Sequence, residues 1–251
     1  DGNSGIDYLE RDKDIRIFRS LLNIENEEFE DFVGISADDF YQRLEENPDL
    51  NISTAQTSTG IILEMYEEMK ASGYEEIIVV TISKELSGTY QNAVLAAKMI
   101  DIDVHIFDSK SVSYVQALMA MTAKKMADEG RSVEDIMTQL EFIRDHNHLY
   151  ITVATLKYLV KNGRLSNVAG AIGSLLKLKP LLEVDKNGKV NTVAKIRTTK
   201  KARNMLKERF LNEIKDKDVI TFIVYTDNEE EMKVYKEELE NEGVSDIMLL
   251  P

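Results

Sequence analysis

The chain has 251 residues, 43% of them apolar and 30% charged, a globular composition long enough for about two domains. It contains no cysteine, which excludes disulfides, zinc–thiolate sites and thiol nucleophiles, and no segment nears the ~20 uninterrupted apolar residues of a membrane span. The net charge of −14 is unevenly spread: Lys157 to Lys217 holds 16 Lys and Arg against 5 Asp and Glu, a local +11 that leaves −25 elsewhere.

In chain order, Ile15–Phe18 predicts a short strand, and Ser36 with Asp39 three positions later predicts a capped helix start. Pro48-Asp49 marks a turn, and Thr54-Ala55-Gln56-Thr57-Ser58 reads as a hydroxyl-rich loop. A helix over Ile61–Ala71, stopped by Gly73, precedes the β-branched strand Ile77–Ile82. A helix through Ile100, strand Val104–Phe107 and helices Tyr114–Ala127 and Val133–Asp145 follow. This alternation predicts a doubly wound, mainly parallel α/β domain over residues 1–148.

After His148 the pattern changes. Strand Leu149–Ala154 and helix Leu156–Lys161 lead to Asn162-Gly163, then to an apolar helical stretch holding Gly170, Gly173 and Ser174. Strands Pro180–Val184 and Lys189–Ile196 flank Asp185-Lys186-Asn187-Gly188, a hairpin signal. Helix Thr198–Ile214, strand Val219–Tyr225, helix Glu229–Asn241 and strand Asp246–Leu249 complete an α+β domain over 149–251.

Chemistry concentrates at Ser87-Gly88-Thr89, between strand Ile77–Ile82 and the next helix. The first turn of a helix leaves N–H groups unpaired, so a hydroxyl-rich strand-to-helix turn suits a small anion. No charged residue lies between Leu86 and Ala97, which fits a single carboxylate. An ordinary helix cap explains the same residues. The +11 segment reads equally as a docking face for an acidic partner or as solvated helix faces. His146 and His148 flank Asn147 in a polar connector, so no metal site is expected. Met119, Met121 and Met126 fit plain core at helical spacing better than a ligand wall. No leader resembling a signal peptide is visible, which suggests a cytoplasmic home.

Several segments, in order, resemble the DegV family of bacterial fatty-acid-binding proteins. They are Thr54-Ala55-Gln56-Thr57-Ser58, Ser83-Lys84-Glu85-Leu86-Ser87-Gly88-Thr89-Tyr90-Gln91, Phe107-Asp108-Ser109-Lys110-Ser111, Gly163-Arg164-Leu165-Ser166, Leu178-Lys179-Pro180-Leu181-Leu182 and Lys195-Ile196-Arg197-Thr198-Thr199-Lys200-Lys201. The resemblance implies two α/β lobes with a long-chain fatty acid buried between them, and a role as acyl-carrying subunit for a separate ATP-dependent fatty acid kinase. Thr54 and Ser87 match the family residues that hold the fatty acid carboxylate, with Ser58, Gly88 and Thr89 beside them. Arg164 and Arg197 match arginines linked to the kinase-facing surface. Ala55 and Thr57 stand where the family has Ser and Pro. Family members also begin with a strand before the position of Asp1 and continue to a His-X-Gly-X-Gly segment, so the resemblance implies a longer natural chain.

The resulting expectation is a lipid carrier with no catalytic centre, no cofactor and no metal, touching membranes only transiently to exchange lipid. Two alternatives stand beside it. A serine hydrolase at Ser87 lacks the Gly-X-Ser-X-Gly elbow, because residues 84–88 read Lys-Glu-Leu-Ser-Gly. A phosphoanion or nucleic-acid module using the basic segment conflicts with the acidic total and lacks a recognised binding motif.

Overall fold

The computed structural model describes residues 1–165 and 178–251, so the predicted helical stretch around Gly170, Gly173 and Ser174 lies outside the described residues. The chain divides into two compact units, Asp1–Leu149 with Val184–Val190, and Tyr150–Glu183 with Asn191–Pro251. A single cut near residue 148 therefore misses one excursion: the turn between the two strands after Pro180 groups with the first unit.

Two strands organise the first unit. β4 (Glu76–Thr81) and β5 (Asp103–Asp108) pair in parallel from Glu76↔Asp103 to Thr81↔Asp108. Strand side chains alternate between faces, and here both faces are covered. Ile77 and Val79 pack with Ile62 and Tyr66 of α2 (Thr59–Ala71) and with Ala93 and Ala96 of α3 (Thr89–Ala97). On the other side, Val80 and Phe107 pack with Met119 and Ala123 of α4 (Tyr114–Asp128) and with Ile136 and Leu140 of α5 (Val133–Asp145). Helices on both faces of a parallel sheet are the α/β arrangement the sequence predicts. Each fully buried aliphatic side chain contributes ~1.5–3 kcal/mol to this core.

An antiparallel sheet also forms, in the order β2-β1-β3, from β1 (Leu21–Ile24), β2 (Glu27–Glu30) and β3 (Ile52–Ala55). Its sequence signal is weak because β2 reads Glu-Glu-Phe-Glu and lacks alternation. Thr54 accordingly sits on a strand, opposite Leu22, and not in a loop. Ile15–Phe18 is irregular, with Phe18 alone of the four buried, edge-on to Tyr66. α1 (Ala37–Glu46) starts as expected: Ser36 Oγ accepts from the Asp39 amide at 3.1 Å and donates to the Asp39 carboxylate at 2.7 Å.

In the second unit, β6 (Leu149–Thr152), β7 (Leu181–Val184) and β8 (Val190–Ala194) form a sheet in that order. Parallel strands β9 (Thr221–Val224) and β10 (Ile247–Leu250) form another. The short helix α6 (Lys157–Lys161) follows β6. α7 (Thr199–Ile214) serves both sheets: Leu206 packs with Leu181, Ile196 and Ala202 and also with Ile223, Ile247 and α8 (Glu229–Asn241). Among the described residues no helix is long and apolar enough to cross a membrane, and no group of three or more acidic or histidine side chains could hold a metal ion.

Candidate functional site

The first unit places the ends of β3 and β4 so that two helix starts meet. α2 begins after Ser58 and α3 after Gly88, and neither first turn carries an acidic residue. No acidic side chain offsets the partial positive charge of either helix end, although Ser58 and Ser87 Oγ already accept from the Ile61 and Thr89 amides. Asn92 on α3 donates to the Thr57 carbonyl at 2.8 Å, tying the two segments together. Gly88 lies so close to Gln56 that a Cβ there would stand 2.8 Å from the Gln56 amide nitrogen. Thr57 is buried and donates to the Arg19 carbonyl, which fixes the end of the β3 segment.

The hydroxyls divide by task. Ser87 Oγ is half-buried, lies 3.0 Å from Thr89 Oγ1 and accepts from the Thr89 amide at 3.3 Å. Thr89 is fully buried, so its hydroxyl orients Ser87 and presents no surface of its own. Ser58 Oγ caps α2 by accepting from the Ile61 amide; here the ordinary cap describes the residue. Thr54 is exposed at the end of β3, two residues before Gln56. No hydrogen bond joins its hydroxyl to Ser87 among the described residues. Ser87 and Thr54 thus stand on adjoining segments, Ser87 half-buried and Thr54 exposed. Among the described residues, the hydrogen bonds of the Ser87 hydroxyl are both to Thr89.

Gln56 and Asn92 join the two segments and were not among the residues the sequence singled out individually. Both lie inside the motifs it singled out, but only their packing shows that they join the two segments. Met119 is fully buried and Met126 packs against the same cluster, but Met121 is only partly buried and lies at the surface. A surface cleft of about 330 Å³ beside Met121 is lined by Asp12, Lys124, Lys125 and Asp128, and contains none of the candidate residues.

The basic segment also divides. Arg203 pairs with Glu231 at 2.6 Å, Lys207 with Glu238 and Glu242, and Arg209 with Glu183 and Glu213. Arg209 also donates to Tyr150, whose phenol is pushed up to about 12 by burial and by its hydrogen bond to Glu213. Glu231, Glu238 and Glu242 from outside the segment therefore offset only part of the +11, on Arg203 and Lys207. Lys195, Arg197, Lys200 and Lys201 are exposed and form no ion pair among the described residues. Arg164 is half-buried and donates to the Asn162 carbonyl.

The family model of the DegV proteins, described as uncharacterised, matches residues 5–251. The chain belongs to the DegV family. A DegV domain-containing protein of Staphylococcus aureus (strain COL) is 31% identical over 210 residues, which is 83% of this chain and 72% of that relative. Among solved structures, the DegV fatty acid binding protein from Bacillus subtilis is 29% identical with a TM-score of 0.82, covering 94% of this chain and 83% of its own. A fatty-acid-binding DegV protein from Thermus thermophilus is 26% identical with a TM-score of 0.84, covering 98% of this chain and 90% of its own. A DegV protein from Streptococcus agalactiae, 23% identical, covers 96% of this chain and 86% of its own; its TM-score of 0.88 supports the shared DegV fold.

Proposed function

We propose that this DegV protein binds a long-chain fatty acid, with Ser87 and Thr54 holding its carboxylate, and presents that carboxylate to a separate ATP-dependent kinase in the cytoplasm. The carrying observation is the meeting of two helix starts, free of acidic first-turn residues, with the hydroxyls of Ser87 and Thr54 on adjoining segments. Hydrogen bonds to a carboxylate are charge-assisted and stronger than neutral ones. The relatives from Bacillus subtilis and Thermus thermophilus, both described as fatty-acid-binding, support a lipid as the anion's source. The carrier has no chemistry of its own in this reading. Arg164 and the exposed group Lys195, Arg197, Lys200 and Lys201 face the kinase.

Denaturing mass spectrometry of an organic extract tests the reading. A fatty acid released in near-stoichiometric amount is the expected result. An empty protein that also fails to take up oleate overturns it, and salt-sensitive nucleic-acid binding by that protein would favour the phosphoanion alternative.

A further inference from the structure

The turn between β7 and β8 is built to seat in a socket at the ends of β4 and β5. Asp185 pins it: the Asp185 carboxylate accepts from the Asn187 and Lys189 amides, and its carbonyl accepts from the Gly188 amide. Gly188 is buried at φ +83°, a conformation that favours glycine. There is no room for a side chain, because a Cβ would overlap Ser83 Oγ and stand 3.1 Å from the Lys110 Cα. Ser83, fully buried, donates from its hydroxyl to the Gly188 carbonyl at 2.8 Å. Lys189 pairs with Glu85 at 3.3 Å on the rim.

The same serine builds the turn that carries Ser87. Its Oγ accepts from the Glu85 amide at 3.2 Å, and its carbonyl accepts from the Leu86 and Ser87 amides at 2.9 and 3.1 Å. Its own amide donates to the Ser111 carbonyl, which anchors the turn to the segment after β5. One hydroxyl thus holds the Gly188 tip on one side and the turn leading into Ser87 on the other.

We propose that Ser83 and the Gly188 tip are positioning residues for the carboxylate site: the seated tip fixes Ser83, and Ser83 fixes the turn that aims Ser87. This rests on the assignment of Ser87 to the carboxylate. A hydroxyl gives full affinity only when held at hydrogen-bonding distance and angle, so loss of the tip contact weakens binding through Ser87.

A double-mutant cycle on oleate binding separates positioning from a general structural role. Ser83→Ala and Gly188→Ala are expected to raise the oleate dissociation constant at least threefold, and Ser83→Ala added to Ser87→Ala is expected to cost nothing further. Should Gly188→Ala fail to fold, Asp185→Ala loosens the same turn without touching the socket and enters the cycle in its place. Ser83→Ala that is silent, or that weakens binding equally with and without Ser87, overturns the assignment alone. Ser87→Ala that leaves oleate binding unchanged overturns the carboxylate site and this assignment with it.

Discussion

Asn92 reaches from α3 to the Thr57 carbonyl at 2.8 Å, and this bond holds the segment after β3 against the start of α3. The Gln56 side chain lies against Gly88 in the same junction. Asn92→Ala removes a half-buried hydrogen bond worth ~0.5–1.5 kcal/mol. It should lower the thermal midpoint slightly and weaken oleate binding several-fold. Unchanged affinity would show that the two segments do not share one ligand.

Ser87→Ala should weaken oleate binding roughly tenfold or more, since a hydrogen bond to a charged group contributes ~1.5–3 kcal/mol. Ser58→Ala differs in kind. It removes the α2 cap, at a cost of ~1 kcal/mol in stability, and should change affinity little. Calorimetry with oleate on both variants, beside their thermal melts, distinguishes the ligand hydroxyl from the capping one.

Arg164→Ala combined with Arg197→Ala should leave oleate binding intact while slowing phosphorylation of the bound acyl group by its kinase, chiefly at low salt. Rim charges act mainly on association rate and its salt dependence. Loss of the lipid with normal kinase association would reverse the division of roles. No change in either assay would leave these arginines as solvated surface.

Asp31 is expected to cost stability at neutral pH. Burial pushes its carboxyl above the usual value and the nearby Asp7 adds to this, while Arg19 and the Phe32 amide oppose it. The folded state therefore holds the Asp31 proton more tightly than the unfolded chain. That raises stability at low pH and lowers it above the folded pKa. Asp31→Asn should raise the thermal midpoint at pH 7 and lose that advantage below the ordinary aspartate value of 3.8. An equal benefit at pH 3 would contradict the assignment.

Leu140 on α5 is fully buried in the cluster that also holds Met119 and Phe107. Leu140→Ala should cost ~2–5 kcal/mol, read from the shift in urea midpoint. A loss under 1 kcal/mol would mean that this side of the sheet repacks freely.

The alternation of strands and helices, and with it the α/β class, was legible in the sequence. Ile77–Val80 alternates between two apolar faces, and Ser36 announces its helix by local capping, which needs no distant partner. Ser87-Gly88-Thr89 stood out because a small, uncharged turn between strand and helix has a local signature. Only the tertiary structure decided what depends on pairing at a distance. β2 is a strand because β1 lies beside it, not because Glu-Glu-Phe-Glu favours one. Thr54 is on a strand for the same reason. Thr89 and Ser58 share the hydroxyl chemistry of Ser87, yet burial and capping commit them to other bonds. The basic segment looked uniform along the chain, but α8 brings Glu231, Glu238 and Glu242 onto Arg203 and Lys207. Charge, burial and strand pairing of this kind are set by the fold, because each requires a partner that sequence distance conceals.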